Sequence, residues 1–103
     1  MAEVIWTEPA LDQLEEIANY IALDKPLAAS QLVTRIFKAI DRLVLFPDSG
    51  REPPELPDSI YREVLCNPCR IFYRHEAGKV FILHVMRDES QLRKYLLCED
   101  GGS

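Results

Sequence analysis

Apolar residues in the first part of the chain change from strand-like to helical spacing. The opening segment Glu3–Trp6 is rich in β-branched and aromatic residues, which predicts a strand. Thr7 is then a candidate N-cap, and Pro9 falls in the first helical turn, where its missing N–H costs little. An amphipathic helix to about Leu23 follows, and its buried face would contain Leu11, Leu14, Ile17, Ala18 and Ile21.

A second helix is predicted almost without a linker. Asp24 is its candidate cap and Pro26 its first turn, and the helix stops at Phe46, before Pro47. One face is apolar and carries Leu32, Val33, Ile36, Phe37, Ile40, Leu43 and Val44. The proline-rich residues 47–59 predict an irregular loop, and loops of this length tend to be functional.

Three strands are predicted in the second half: Ile60–Cys66, Arg70–His75 and Lys79–Arg87, joined by short turns at 67–68 and 77–78. In the last strand, apolar residues occupy both sets of alternating positions, as expected for a central strand covered on both faces. One face of this strand would carry Val80, Ile82 and Met86, and the other Phe81, Leu83 and Val85. We predict a single α+β domain over residues 1–98, with order β-α-α-β-β-β, a helical hairpin packed on a mainly antiparallel sheet and a flexible tail over 99–103.

The charge of the chain is uneven. Its formal net charge is -5, yet residues 61–98 hold seven basic and four acidic residues. An acidic total argues against tight, sequence-blind binding to nucleic acid, although a local basic face is possible. No export signal or membrane span is recognisable, and three cysteines suggest reduced thiols, so we expect a cytoplasmic protein without a membrane partner.

Four arginines are the first candidate chemistry: Arg62, Arg70, Arg74 and Arg87. On neighbouring strands they could converge and bind a phosphate or carboxylate, but arginines on strands often only cover a solvent face, which is the favoured interpretation from the residues alone. His84 could act as a general acid or base, although its apolar neighbours favour a half-buried histidine.

Cys66 and Cys69 form a C-x-x-C motif across a predicted turn. A redox dithiol would need a strand that enters a helix, and a zinc site would need two more ligands at suitable spacing. Neither context is present, so we attribute the spacing to the turn and expect no metal or cofactor.

Several short motifs, taken together, resemble the ParE branch of the RelE/ParE toxin superfamily: residues 6–10, 46–51, 61–64, 70–74 and 82–87. The resemblance implies a toxin that is neutralised by a cognate antitoxin. For ParE-like toxins the implied target is DNA gyrase, and for RelE-like toxins it is mRNA cut on the ribosome. A third possibility is a chain that retains only antitoxin binding. We expect the antitoxin to lie along the helical hairpin and an edge of the sheet.

The RelE-type cutting residues carry over only in part. Arg62, Arg70 and Arg87 match, with His84 as the only nearby histidine, but Val64 stands where a lysine is expected and Tyr95 comes later than the expected tyrosine. The resemblance therefore favours gyrase inhibition. The residues expected to contact the target are Arg51, Arg62, Arg70, Tyr73, Arg74 and Arg87.

Overall fold

The computed structural model describes residues 1–87, which form two helices and four strands. In chain order these are β1 (Glu3–Trp6), α1 (Glu8–Ala22), α2 (Pro26–Leu45), β2 (Tyr61–Cys66), β3 (Cys69–Glu76) and β4 (Lys79–Met86). The predicted order of elements is confirmed. The predicted domain end at residue 98, the tail 99–103 and Tyr95 lie outside the described residues.

The strands form one mixed sheet in the order β1-β4-β3-β2. β1 runs parallel to β4, whereas the β2–β3 and β3–β4 pairs are antiparallel. The helical hairpin packs on one face, and residues such as Leu32, Ile36 and Leu43 join Ile71 and Val80 in the main core. The predicted α+β architecture and the central position of β4 are both confirmed.

The two helices begin differently. Thr7 caps α1 as predicted, since its side chain accepts a hydrogen bond from the Ala10 N–H. The predicted cap of α2 is wrong: Lys25 occupies the N-cap position, and no side chain caps the helix. The N–H groups of Asp24 and Lys25 both donate to the Ile21 carbonyl, so Asp24 still belongs to the turn that closes α1.

A β-bulge in β4 changes which side chains face the helices. Phe72 pairs with His84 and Tyr73 with Ile82, which leaves Leu83 as an extra residue. Because the extra residue reverses the alternation, Val85 joins Ile82 in the main core and Met86 turns to the opposite face. The predicted grouping of Met86 with Ile82 was therefore wrong.

The sheet face away from the helices, which we call the outer face, has its own small core. Phe72 and Met86 are buried there against Leu56, Tyr61 and Leu83. The Phe72 ring stacks on Tyr61 with centroids 5.1 Å apart. Because Leu56 belongs to the loop between α2 and β2, this loop covers part of the sheet.

Neither α1 nor α2 is apolar and long enough to cross a bilayer.

Candidate target-binding site

The buried Tyr73 side chain forms hydrogen bonds with the first residues of the long loop between α2 and β2. Its hydroxyl donates to the Pro47 carbonyl at 2.7 Å and accepts from the Gly50 N–H at 2.9 Å. The side chain is fully buried, and this burial raises the pKa of its hydroxyl. Tyr73 was expected to touch a target, but in this structure all of its contacts are internal.

Gly50 lies too close to its neighbours for any side chain. An added Cβ would lie 2.6 Å from both Cε1 and the hydroxyl oxygen of Tyr73, and 2.8 Å from the Glu63 carbonyl oxygen. This role of Gly50 was not predicted from the sequence. The glycine beside Arg51 in a loop rich in prolines was the available signal, because glycine often marks a close backbone approach.

A buried ionic network ties the middle of the loop to the outer face. Arg70 is 5% exposed and donates bidentate hydrogen bonds of 2.6 and 2.9 Å to Glu63, and of 2.9 Å to Glu55. Glu63 is 1% exposed, and its backbone exchanges hydrogen bonds of 2.8 and 3.0 Å with Arg51. Two carboxylates thus neutralise Arg70 within the protein. Its hydrogen bonds hold the pKa of Glu55 below the usual value.

On the helix-facing side of the sheet, Arg62 and His75 contact the first residues of the loop. Arg62 donates to the Gly50 carbonyl at 2.8 Å, and its Nε lies 3.8 Å from Asp48. His75 Nδ1 lies 2.9 Å from the same carboxylate. The side chain of His75 is 26% exposed, because it packs against the loop through this contact with Asp48.

The remaining two arginines of the sheet contact aromatic rings. Arg74 lies 5.0 Å from the ring centroid of Phe81 and forms an ion pair with Glu76 at 3.1 Å. Arg87 follows β4 and lies 5.2 Å from the ring centroid of Tyr20 in α1. Both arrangements are cation–π contacts, which hold a guanidinium over the ring face.

The four arginines do not converge on one surface. Arg62 pairs across the sheet with Tyr73 and lies on the helix-facing side, whereas Arg70 and Arg74 lie on the outer face. The register explains this separation: Arg70 is paired with Leu65, three positions from Arg62, and an odd offset in a strand reverses the face. Arg87 lies beside α1 instead. Convergence of the four arginines on one surface, which the sequence allowed but did not favour, is therefore not realised in this fold.

His84 is half-buried, as predicted, and takes part in the bulge of β4. Gln13 of α1 accepts a 2.8 Å hydrogen bond from the Val85 N–H through Oε1, which leaves its Nε2 to donate to His84 Nδ1 at 3.2 Å. The ring lies 6.1 Å from that of Phe72. The role of Gln13 was not predicted, because it depends on the bulge.

Cys66 and Cys69 face each other across the turn between β2 and β3. Both are free thiols in the main core, and burial raises the pKa of Cys69. Within residues 1–87, no three His, Cys, Asp or Glu side chains are grouped so as to hold a metal ion.

Comparisons with known proteins agree with this geometry. The family model described as "ParE toxin of type II toxin-antitoxin system, parDE" matches residues 4–92. The chain is 33% identical to "Toxin RelE2" of Caulobacter vibrioides over 87 residues, which are 84% of the chain and 92% of that protein. It is 50% identical over 46 residues to "Putative toxin Y4kP" of Sinorhizobium fredii, covering 45% of the chain and 48% of that protein.

A solved structure has the same fold. The chain superposes on "Chromosomal ParDE TA system from P. aeruginosa" with a TM-score of 0.70 and 25% sequence identity, covering 84% of this chain and 96% of that one. The resemblance found in the sequence is confirmed, and membership of this family implies a cognate antitoxin as partner. The chain belongs to the ParE toxin family of type II toxin-antitoxin systems.

Proposed function

We propose that this toxin acts in the cytoplasm by binding DNA gyrase and blocking its activity, and not by cutting RNA. The observation that supports the proposal is the separation of the candidate cutting residues. Arg62 and Arg70 lie on opposite faces of the sheet, and Arg70 is already neutralised by two carboxylates.

Cleavage of a phosphodiester needs a base for the 2'-hydroxyl and cations that meet at the developing phosphorane. The His84 ring lies 6.1 Å from that of Phe72 on the outer face and contacts Gln13 of α1, whereas Arg62 lies on the helix-facing side beside the long loop, so the two side chains are not grouped around one site. Arg87 stacks on Tyr20 beside α1. This arrangement suits a surface that binds a protein better than a nuclease centre.

The charge of the whole chain supports the same proposal. Binding to ribosomal RNA depends on the neutralisation of many phosphates, and the chain has a net charge of -5. Of the residues expected to contact the target, we retain Arg51, Arg62, Arg74 and Arg87. Tyr73 and Arg70 would act indirectly, because they position the loop that carries Arg51.

The proposal is tested by a supercoiling assay with purified gyrase and purified toxin. We expect inhibition that increases with toxin concentration and is relieved by the antitoxin. Substitution Arg62→Ala should weaken inhibition more than Lys38→Ala, a control on the exposed surface of α2. Normal supercoiling at saturating concentrations of folded toxin, which still arrests growth in cells, would reject the proposal.

A ribosome-dependent endoribonuclease is the second candidate, favoured by the similarity to a protein named "Toxin RelE2". Its test is cleavage of mRNA on programmed ribosomes by the wild type, Arg62→Ala and Arg87→Ala. Arg70→Ala is a poor probe, because it would leave the buried Glu63 without its strongest partner and so destabilise the fold. Intact mRNA, or equal cutting by all three proteins, would exclude this candidate.

Growth arrest after induction without antitoxin would exclude the third possibility, a chain that only binds antitoxin.

A further inference from the structure

Two buried thiols lie side by side at the closed end of the β2–β3 hairpin. Cys66 is the last residue of β2 and Cys69 the first of β3, and the two are direct cross-strand partners. Cys66 is 9% exposed and Cys69 is 2% exposed. Both are free thiols that belong to the main core between the sheet and the helices. The hairpin thus holds two sulfur groups at a position where a covalent bond would join its strands.

The register places the two cysteines within the range that a disulfide spans. Directly opposed residues of an antiparallel pair have Cα atoms about 4.5–5.5 Å apart and side chains on the same face. A disulfide joins Cα atoms roughly 4.4–6.8 Å apart. Cys66 and Cys69 flank the two-residue turn of Asn67 and Pro68, so the turn that explains their spacing also makes them neighbours in space. The bond therefore requires no change of register.

We infer that Cys66 and Cys69 form a site of reversible oxidation, at which a low-molecular-weight disulfide converts the two thiols into an intramolecular disulfide. The bond closes the end of the hairpin whose strands carry the partners of the long loop, namely Glu63 in β2 and Arg70 and Tyr73 in β3. The site differs from a redox dithiol of the catalytic kind, because it lies at a strand-to-strand turn. The inference does not depend on gyrase as the target.

Bond formation proceeds by two thiol–disulfide exchanges. Cys66, the more exposed thiol, loses its proton to solvent, and its sulfur attacks one sulfur of the oxidant, which releases one thiolate and leaves a mixed disulfide. The sulfur of Cys69 then loses its proton and attacks the sulfur of Cys66, which releases the second thiolate. The two released thiolates take up the two protons. Two protein thiols are thereby oxidised to one disulfide, and the oxidant is reduced to two thiols.

Burial slows this reaction while the hairpin end is closed. Removal of Cys69 from water raises its pKa, and the neighbouring Cys66 adds to the rise, whereas the charges of Arg87 and Arg35 oppose it. Because the thiolate is the reactive form, a raised pKa protects the thiol. The turn residues 67–68 are exposed, so the end of the hairpin opens with a smaller loss of buried contacts than the strands themselves.

The test follows one tryptic peptide of the wild-type protein by mass spectrometry. Trypsin cleaves after Arg62 and Arg70, so residues 63–70 form one peptide that contains both cysteines, while Cys98 falls in another. Folded toxin is equilibrated with mixtures of reduced and oxidised glutathione, quenched with acid, alkylated and digested. We expect the peptide 63–70 to lose two hydrogen atoms and to escape alkylation, and dithiothreitol to reverse this change.

The fold should favour the bond, because the register holds the two sulfurs together. We expect the equilibrium constant for disulfide formation to be about 10-fold larger in folded toxin than in the chain unfolded by urea. Cys98→Ser is the matched control and should leave this ratio unchanged, whereas Cys66→Ala should abolish the internal disulfide.

Three outcomes would overturn the inference: an equilibrium constant in folded toxin that is equal to or smaller than in the unfolded chain, glutathione retained on Cys66 without ring closure, or a bond to Cys98 in place of the internal one. These readouts are independent of the supercoiling assay. A toxin that fails to inhibit gyrase would therefore contradict the proposed function alone.

Discussion

At the scale of single residues, Gly50 decides where the long loop begins its path over the sheet. Its N–H donates to the buried Tyr73 hydroxyl, and no room exists for a Cβ. We expect Gly50→Ala to lower the free energy of unfolding by about 1–3 kcal/mol, because overpacking displaces the tyrosine or the loop. Chemical denaturation would measure this loss, and Ser49→Ala, one exposed position earlier, should have little effect. Equal stabilities of Gly50→Ala and the wild type would contradict the close approach.

Glu55 makes the loop sensitive to acid. Hydrogen bonds from Arg70 lower its pKa below the usual value of 4.5, so the unfolded chain binds more protons at acidic pH. The stabilisation from Glu55 is therefore present above about pH 4.5 and is lost as the pH falls through the lowered pKa of the folded state. We expect Glu55→Gln to cost roughly 1.5–3 kcal/mol at neutral pH and progressively less in acid.

Unfolding curves between pH 3 and 7 would test the effect of Glu55→Gln. Glu52→Gln is the control, because Glu52 is an exposed glutamate of the same loop. A constant difference between Glu55→Gln and the wild type over the whole pH range would show that the carboxylate charge is not responsible.

The identities of Arg62 and Arg70 indicated the kind of interaction these side chains would make, but not which groups they would contact. Anion binding was one of two interpretations for Arg62 and Arg70, and the guanidinium group of each does lie against carboxylates. The anions belong to the protein itself, at Asp48, Glu55 and Glu63. Composition alone could not show this, because these carboxylates come from the loop and from β2 and meet the arginines only after folding.

At the scale of elements, Thr7 connects the start of α1 to the bulge of β4. Its hydroxyl donates to the Ile82 carbonyl at 2.7 Å and accepts from the Ala10 N–H at 3.4 Å. We expect Thr7→Ala to lower the free energy of unfolding by about 1–2 kcal/mol, as the loss of a helix cap does elsewhere. Thr34→Ala is the matched control, because the Thr34 hydroxyl is exposed and only bonds the Ser30 carbonyl in its own helix. A larger loss for Thr34→Ala in thermal unfolding would contradict this account.

The helices and strands could be predicted to within one residue at almost every boundary, because apolar periodicity and the positions of Thr7, Pro9 and Pro26 are local signals. The bulge at Leu83 could not be predicted. It depends on how Thr7 and Gln13 meet the bulged backbone, and both belong to segments more than 70 positions earlier in the chain.

At the scale of the whole molecule, Trp6 lies in β1, the first strand, which pairs with β4, the last strand of the described residues. β1 is an edge strand parallel to β4, and the Trp6 ring lies 5.2 Å from that of Phe37 in α2. Since Trp6 is the only tryptophan, its fluorescence should follow the packing of β1 against α2. We expect the fluorescence and far-ultraviolet circular dichroism to give one coincident transition in denaturant, as in a two-state domain. A transition of Trp6 at lower denaturant would show that β1 detaches before the rest unfolds.

Taken by itself, the amino-acid sequence determined the order of the elements, the α+β class and the toxin family, because these depend on local periodicity and on short motifs along the chain. It did not determine which face each arginine occupies or which carboxylates neutralise it. Those features depend on strand register, on one extra residue in β4 and on the path of a loop anchored at Gly50. Register and loop path result from contacts between residues far apart in sequence, so the separation of the candidate cutting residues became visible only in the folded protein.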